Sequence, residues 1–281
     1  MPEGDTVLHA AHRLHAALAG RALTHADLRV PRFATADLAG RTVLDVTSRG
    51  KHLLTRIEGG LTLHSHLRMD GSWRIFAPGE PWRGGPSHQI RAVLQNAEAT
   101  AVGYRLPVLE LLRTADEADA VGHLGPDLLS PAWGAELQDQ AVANLLAAPE
   151  RPLGEALLDQ RNLAGIGNVY KSELCFLARV TPWSPVGVLD AQLLARLVAT
   201  SHRLLDANTE RPDRRTTTLA HTSTAGRPTR TTRAPDRLYV YGREARPCLR
   251  CATPVRKADQ GDGSRERPTY WCPNCQTGPT N

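Results

Sequence analysis

The sequence predicts a multidomain α+β protein, and three observations support this prediction. Short β-rich runs separated by turn signals fill the first part of the chain, which is typical of an antiparallel β-sandwich, and one amphipathic helix precedes them. Helical apolar patterns follow, and two Cys-x2-Cys pairs end the chain. We expect four segments: a β-sandwich domain over 1–115, an interdomain linker over 116–130, a helical domain over 131–237 and a zinc finger over 238–276.

The leading helix is indicated by apolar residues at helical spacing from Val7 to Leu18, with Asp5 and Thr6 as caps and Gly20 as the stop signal. The β-rich runs that come next show no βαβ alternation, so we expect antiparallel sheets. These runs are Ala22–Val30, Thr42–Ile57, Leu61–Leu67, Ser72–Phe76, Ile90–Leu94 and Ala101–Leu112.

Beyond Ser130 the apolar residues follow a helical period. The predicted helices are Trp133–Ala147, Leu153–Leu158, Val169–Ala178 and Asp190–Asp206. From Glu210 to Asp236 the chain is rich in threonine, arginine and proline and has almost no apolar residue, so we expect a mobile loop there.

The composition fits a soluble globular protein that binds a polyanion. The chain has 281 residues, 41% of them apolar, and a net charge of +5. Only three of the basic residues are lysine, and the rest are arginine, whose planar guanidinium group suits phosphate. A GC-rich genome would explain this excess of arginine equally well. There is no signal-peptide pattern and no run of about 18 apolar residues that would span a bilayer, so we expect a cytoplasmic protein without membrane attachment.

Pro2-Glu3-Gly4 is the first stretch whose residue types suggest chemistry. Removal of Met1 would give Pro2 a free secondary α-amine, and an α-amino group has a pKa of about 8. Such an amine attacks an aldehyde-like carbon to form a cationic iminium, and Glu3 beside it is suited to general acid catalysis. The same residues also fit a common second-position proline and a glutamate that starts a helix.

Cys248-x2-Cys251 and Cys272-x2-Cys275 have the spacing of a four-thiolate zinc site. Four thiolates fill a tetrahedral shell and leave no open position for a substrate. We therefore expect one structural Zn²⁺ ion, with a β-hairpin between the two cysteine pairs.

Three further stretches contain residues suited to nucleic-acid contacts. Leu163–Tyr170 has two glycines at the joint between two predicted helices, which suits either a phosphate grip or an ordinary helical hairpin. Arg49–His52 places Lys51 inside a β-rich run, as a phosphate contact, a proton donor or part of a solvated strand face. His64–Gly71 ends in a turn where Met69 either enters the core or forms an exposed wedge between bases.

Taken together and in this order, these stretches resemble the Fpg/Nei family of DNA glycosylases, formamidopyrimidine-DNA glycosylase and endonuclease VIII. The resemblance covers nearly the whole chain and is greatest to the actinobacterial Nei-like branch. The motifs that carry it are Pro2-Glu3-Gly4, Arg49-Gly50-Lys51, His66-Leu-Arg-Met69, Leu124-Gly-Pro-Asp127, Leu158-Asp-Gln160 with Leu163-Ala-Gly-Ile-Gly-Asn168, and Arg267-Pro-Thr-Tyr-Trp-Cys-Pro-Asn-Cys-Gln276. It implies a β-sandwich domain, a helix–two-turn–helix DNA-binding domain and a zinc finger.

The resemblance also implies roles for the matching residues. Pro2 would be the Schiff-base nucleophile at C1′ of a damaged nucleotide, and Glu3 the proton donor. Lys51 would assist β-elimination and Arg267 δ-elimination. The expected DNA-binding residues are His66, Arg68, Met69, His123, Asn168 and Tyr170.

The implied activity is that of a bifunctional DNA glycosylase and abasic-site lyase of base excision repair, which acts as a monomer on damaged DNA. Three departures from the family pattern bear on the substrate. Thr6 replaces a glutamate common in relatives, and Arg68 and His123 replace a glutamine and an arginine of endonuclease VIII. The Asp-Pro-Arg-Arg-Phe-Gly wedge of formamidopyrimidine-DNA glycosylase has no match near Ala101–Leu112, so oxidised pyrimidines are expected rather than 8-oxoguanine.

Two alternatives to an enzyme of this family remain open from the sequence. The first is a catalytically silent DNA-binding zinc protein of the same fold. The second is a zinc-ribbon module joined to an unrelated β/α protein, which explains the four cysteines but leaves Pro2-Glu3-Gly4 without a role.

Overall fold

The computed structural model describes residues 2–211, 213–217, 236–263 and 266–280. The chain divides into two compact units, Met1–Leu124 and Gly125–Asn281. The division falls inside the segment 116–130 that the sequence predicts as a linker.

The first unit starts with helix α1 (Gly4–Leu18) and continues as two four-stranded antiparallel sheets. The strands are β1 (His25–Leu28), β2 (Val43–Arg49), β3 (His52–Ile57), β4 (Leu61–His66), β5 (Ser72–Phe76), β6 (Ile90–Gln95), β7 (Thr100–Tyr104) and β8 (Val108–Arg113). One sheet has the strand order β1-β6-β7-β5 and the other β2-β3-β4-β8. Apolar side chains of both sheets and of α1 form one hydrophobic cluster, as expected for a β-sandwich.

The end of this unit is a short helix, α2 (Glu117–Val121), in place of the first half of the predicted linker. The Glu117 carboxylate accepts two hydrogen bonds of 2.8 Å from Arg56 of β3 and one of 2.7 Å from Thr62 of β4. This bidentate pair ties α2 to the sheet, because planar guanidinium and carboxylate groups match in geometry.

Two predicted β-runs each prove to be two strands. The run Thr42–Ile57 reverses at Gly50 and Lys51, so the prediction that Lys51 lies inside a strand is wrong. Gly50 has φ +57°, a left-handed conformation that glycine adopts without steric cost. The run Ala101–Leu112 is divided near Arg105, which has φ +48°, and its two strands belong to different sheets. In both runs β-rich residues stand close on either side of the turn, so each run was predicted as one continuous stretch.

The second unit is helical and ends in a small hairpin. Its elements are α3 (Ala135–Leu146), α4 (Leu153–Leu158), α5 (Asn168–Leu177), α6 (Ala191–Asp206), β9 (Arg256–Gln260) and β10 (Arg267–Trp271). Each helix agrees with the sequence prediction to within two residues at either end. The segment Asp159–Gly167 reverses the chain between α4 and α5, which gives the helix–two-turn–helix arrangement.

Two hydrophobic clusters stabilise this unit. One lies among the four helices. The other contains Phe176 of α5 together with Tyr239, Val240, Cys248, Val255 and Cys272. The C-terminal module therefore packs on α5. Of the predicted loop Glu210–Asp236, residues 212 and 218–235 lie outside the described residues. Within the part of the chain that the structure describes, no helix has the length and hydropathy of a membrane span.

Candidate functional site

Pro2 and Glu3 lie at the N-terminal end of α1. The helix begins at Gly4 with Glu3 as its N-cap residue, and the Glu3 side chain is 0% exposed. The prediction that Asp5 and Thr6 cap the helix is wrong, because both already lie within its first turn. The first turn of a helix attracts anions, since its backbone N–H groups have no partners within the helix.

A pocket of about 170 Å³ opens beside Pro2, between α1 and the start of β5. Its lining residues are Pro2, Thr6, His9, Ala10, Arg13, Leu14, Leu67, Gly71, Ser72, Trp73 and Ile75. The pocket gives a ligand access to Pro2.

Three histidines gather beside the turn that contains Lys51. His52 of β3 and His66 of β4 are register partners, and their rings meet at 88° with centroids 4.8 Å apart. His123, which follows α2, has its ring centroid 6.2 Å from that of His52. The first unit therefore brings three predicted site residues, Lys51, His66 and His123, to one end of the β2-β3-β4-β8 sheet.

This environment disfavours a charged imidazole. Burial, reinforced first by His66, lowers the pKa of His52 to about 3. Burial, reinforced first by Lys51, lowers the pKa of His66 to about 4. Both rings are consequently neutral near pH 7 in the protein without DNA.

The sequence did not predict the hydrogen-bonded chain that joins His52, His64 and Glu110. Nδ1 of His52 lies 2.9 Å from Nε2 of His64, and Nδ1 of His64 lies 3.0 Å from a carboxylate oxygen of Glu110. The alternation of His64 and His66 along β4 indicates that both side chains share one face of the sheet. Only the strand pairing, however, shows that His52 and Glu110 lie on the same face.

The turn after β4 exposes Met69, whose side chain is 59% exposed, so it does not enter the core. Arg68 adopts φ +46°, and its backbone N–H donates to Nδ1 of His66 at 2.9 Å. A Cβ atom on Gly71 would lie 2.5 Å from the Leu67 carbonyl oxygen, so this turn requires glycine.

In the second unit, the start of α5 meets the start of β10. Asn168 is 2% exposed, and its Nδ2 donates to the carbonyl oxygen of Pro268 at 2.7 Å. Among the described residues its Oδ1 is a buried atom with no hydrogen-bond partner. Arg267, the neighbour of Pro268, is exposed. Two predicted phosphate ligands from distant parts of the sequence are thus adjacent in this unit.

Two other α5 residues are buried and link elements together. Tyr170 is 0% exposed, and its hydroxyl donates to the Leu204 carbonyl oxygen at 3.3 Å, so the phenol is not presented to DNA as the sequence suggested. Lys171 is also 0% exposed and donates to the Thr269 hydroxyl of β10 at 2.5 Å. The only sequence pattern that could have predicted the burial of this lysine is its position among the apolar residues of the helix.

The four cysteines of the C-terminal pattern converge. Cys248, Cys251, Cys272 and Cys275 place their sulfur atoms within 4.8 Å of one another. Tetrahedral thiolate coordination with metal–sulfur bonds of about 2.3 Å requires sulfur–sulfur separations of about 3.8 Å, and two of these separations are 3.4 and 3.9 Å. The site therefore fits one metal ion with a closed shell. Cys175 lies apart on α5, where burial raises the pKa of its thiol to about 12.

Comparison with known proteins gives the family. Two family profiles match the chain, the formamidopyrimidine-DNA glycosylase N-terminal domain over residues 1–105 and the formamidopyrimidine-DNA glycosylase H2TH domain over residues 124–219. "Probable endonuclease 8 2" of Streptomyces coelicolor is 68% identical over 279 residues, which cover 99% of this chain and 95% of that protein. This chain belongs to the formamidopyrimidine-DNA glycosylase and endonuclease VIII family.

Other members of the family match along their whole length. "DNA-(apurinic or apyrimidinic site) lyase Nei2" of Mycolicibacterium smegmatis is 47% identical over 99% of each chain. "Endonuclease 8" of Shigella sonnei is 33% identical over 98% of this chain and 100% of its own. Formamidopyrimidine-DNA glycosylase of Lactococcus lactis, solved in non-covalent complex with DNA containing an AP site, shares the fold at TM-score 0.78 and 20% identity, covering 98% of this chain and 100% of that one.

Membership of this glycosylase family confirms the resemblance read from the motifs and the predicted fold class. It also excludes the zinc-ribbon module on an unrelated β/α protein, because the N-terminal and H2TH profiles cover most of the chain outside the cysteines.

Proposed function

We propose that this chain is a bifunctional DNA glycosylase and abasic-site lyase of base excision repair, with Pro2 as its nucleophile. The observation that carries the proposal is the position of Pro2 next to the buried Glu3, at the start of α1 and open to a pocket. The names of its relatives, endonuclease 8 and abasic-site lyase, support the same chemistry. The enzyme works as a monomer in the cytoplasm on damaged chromosomal DNA.

The reaction starts on a nucleotide flipped out of the duplex, since C1′ is inaccessible in the stack. With Met1 removed, the Pro2 nitrogen attacks C1′, the damaged base leaves with the bonding electron pair, and Glu3 protonates the sugar ring oxygen as it opens. The resulting iminium withdraws electrons from the C2′–H bond. Loss of that proton expels the 3′ phosphate, and a second elimination expels the 5′ phosphate. No redox cofactor takes part.

The other site residues bind and orient the DNA. Lys51 and Arg267 hold phosphates and assist the two eliminations, and Asn168 holds the phosphate beside the flipped nucleotide. His66, Arg68 and His123 donate to the DNA backbone. Met69, which is exposed on its turn, fills the space that the flipped base leaves. Tyr170 acts indirectly, because its buried ring fixes the start of α5.

We propose oxidised pyrimidines and abasic sites as the preferred substrates. The turn between β7 and β8 contains only Arg105, Leu106 and Pro107, and Leu106 is 2% exposed. Arg105 donates to the Asp70 carbonyl oxygen and to the Gln89 side chain at 3.1 and 2.8 Å. This turn is too short and too firmly held to supply the Arg-x-Phe wedge that formamidopyrimidine-DNA glycosylase is expected to use with 8-oxoguanine.

The metal held by the four cysteines is Zn²⁺ in this proposal. A cluster of four thiolates favours zinc, and its closed shell assigns the ion a structural role. The ion fixes the β9–β10 hairpin, which carries Arg267.

Borohydride trapping tests the proposed nucleophile. Wild-type protein incubated with an abasic-site duplex and borohydride should form a covalent adduct whose mass corresponds to a chain without Met1 joined through Pro2. Pro2→Gly and Glu3→Gln should each lower the yield of strand cleavage, and a protein that retains an N-terminal extension should form no adduct because its Pro2 nitrogen is an amide. Glu80→Gln, at an exposed glutamate of the same unit, is the matched control and should react like wild type.

Failure of this experiment has a defined meaning. Tight binding to the abasic duplex without any adduct, in a protein whose free Pro2 has been verified by mass, would replace the lyase with the catalytically silent DNA-binding protein. Lesion panels on an active enzyme would then show whether oxidised pyrimidines are preferred over 8-oxoguanine.

A further inference from the structure

We propose that Glu110, His64 and His52 form a proton relay that takes up a proton from solvent when a DNA phosphate binds beside Lys51 and His66. His52 is then a pH-dependent phosphate-binding residue, and His64 and Glu110 are its positioning residues. This inference rests on the proposed function, because it requires DNA at Lys51 and His66.

The relay crosses three adjacent strands on one face of the sheet. His64 of β4 and Glu110 of β8 are register partners, and His52 of β3 is paired with His66, two residues further along β4. The planes of the His52 and His64 rings are nearly parallel, at 15°, and Nδ1 of His52 lies 2.9 Å from Nε2 of His64. At this separation one of the two nitrogens must carry the hydrogen and the other must accept it.

The carboxylate of Glu110, half-exposed at the β8 end of the relay, fixes the direction of the chain. An ionised Glu110 only accepts hydrogen bonds, so Nδ1 of His64 carries a hydrogen. In a neutral His64, Nε2 is therefore an acceptor, and Nδ1 of His52 donates to it. Nε2 of His52, at the opposite end of the relay from Glu110, is then unprotonated and has a lone pair. It has no hydrogen-bond partner among the described residues, and a lone pair repels a phosphate oxygen.

A single added proton converts Nε2 of His52 from a hydrogen-bond acceptor into a donor. When Nε2 of His52 is protonated from solvent, its Nδ1 hydrogen passes to Nε2 of His64. His64 is then an imidazolium paired with Glu110 across 3.0 Å, and His52 is neutral with its hydrogen on Nε2, the ring nitrogen that does not face His64. The relay has gained one positive charge, and Nε2 of His52 now donates to a phosphate.

His66 cannot take this role. Its Nδ1 accepts a hydrogen bond of 2.9 Å from the backbone N–H of Arg68, so its hydrogen is already on Nε2. It donates to a phosphate in its neutral form, and a second proton on Nδ1 would break the bond to Arg68. A phosphate can therefore bind His66 without proton uptake, which separates the two histidines experimentally.

Burial and the groups around His52 explain why its ring is neutral before DNA arrives. His64 and His66 face it from β4, His123 from the segment after α2, Lys51 from the turn and Arg49 as its register partner on β2. Burial lowers the pKa of His52 to about 3, and the positive or potential positive charges of His66, His64, His123 and Lys51 reinforce this effect. A phosphate anion supplies the opposite charge and favours the protonated relay.

Calorimetry of DNA binding tests the relay. The enzyme is titrated with a duplex that contains a tetrahydrofuran abasic analogue, which cannot be cleaved, at constant salt and in buffers of different ionisation enthalpy. Wild type should take up close to one proton near neutral pH, and its Kd should rise by up to about tenfold per pH unit above neutrality. His52→Gln and Glu110→Gln should each remove at least half of this uptake and flatten the pH profile.

Two matched variants separate the relay from a structural effect. His66→Gln should weaken binding while leaving the proton uptake intact, and His88→Gln, at an exposed histidine of the same unit, should change neither. Equal uptake in wild type and His52→Gln, or loss of uptake in His66→Gln alone, overturns the relay. If the enzyme binds the duplex and forms the borohydride adduct without proton uptake, only this inference fails. If it does neither, the proposed function fails with it.

Discussion

At the scale of single residues, Glu173 shows how one buried carboxylate organises the backbone around α5. It lies on α5 and is 0% exposed. One oxygen accepts from the N–H groups of Val240 and Tyr241 at 2.8 and 2.9 Å, and the other accepts from Tyr239 at 2.8 Å and from the Thr216 hydroxyl. Burial raises the pKa of Glu173, and these four hydrogen bonds oppose that rise.

Glu173→Gln tests this anchor. The substitution keeps the side-chain shape but replaces an acceptor oxygen with an NH₂ group that must face backbone N–H donors. We expect the free energy of unfolding of the second unit to fall by about 3 kcal/mol, because buried polar groups lose their partners. Urea unfolding followed by tryptophan fluorescence measures this, and the exposed Glu150→Gln is the control that should change stability little. Equal stability of the two variants would contradict the role assigned to Glu173.

At the scale of elements, the joint between α4 and α5 determines where Asn168 lies. The Gln160 amide donates to the carbonyl oxygens of Leu158 and Ile166 at 2.8 and 3.0 Å and accepts from the Gly165 N–H at 3.1 Å. The side chain of Gln160 thus makes hydrogen bonds to the backbone on both sides of the joint between α4 and α5. Gly165 has φ +114°, a conformation in which a side chain is strained.

Gly165→Ala should therefore distort this joint. We expect a loss of about 1–3 kcal/mol in stability and weaker binding to abasic DNA, since the start of α5 moves with the turn. Gly134→Ala is the matched control, because its backbone is extended and an added Cβ would have no neighbour closer than 3.9 Å. Thermal unfolding and fluorescence anisotropy with an abasic duplex compare the two. Unchanged DNA affinity in Gly165→Ala would show that the joint does not position Asn168.

At the scale of the whole molecule, the two units are stabilised in different ways. The first has a continuous core between two four-stranded sheets and α1. The C-terminal module of the second has one two-stranded hairpin, and an isolated hairpin is marginally stable in water. We expect its stability to depend on a metal ion held by the four cysteines and on packing against Phe176 of α5.

Metal removal should consequently affect one part of the protein only. A strong chelator should abolish amide hydrogen-exchange protection in β9 and β10 and weaken DNA binding, while the amides of β3 and β4 stay protected. Cys272→Ser should reproduce the effect. Cys175→Ser, at a buried cysteine outside the cluster, should keep its metal. Loss of protection in the β3–β4 pair on chelation would contradict the separate stabilisation of the two units.

The sequence by itself determined the features that depend on local order along the chain. Apolar periodicity located the four helices of the second unit, since a helix buries one face at a repeat that the residues themselves display. Cysteine spacing identified the metal site in the same way, because each Cys-x2-Cys turn already aims two sulfurs at one point. The motif order identified the family, and the comparisons confirm it.

Only the tertiary structure decided which distant residues meet. The turn at Gly50 lies within the single β-rich run Thr42–Ile57 that the sequence predicted. The His52–His64–Glu110 relay required the register of three strands, which is set by turns and by burial of the opposite face. Tyr170 stands in a sequence motif next to predicted phosphate ligands, yet its ring is in the core, because a helix turns successive side chains to different faces. Residues close in sequence can therefore have separate roles, while residues far apart, such as Asn168 and Arg267, lie together where α5 meets β10.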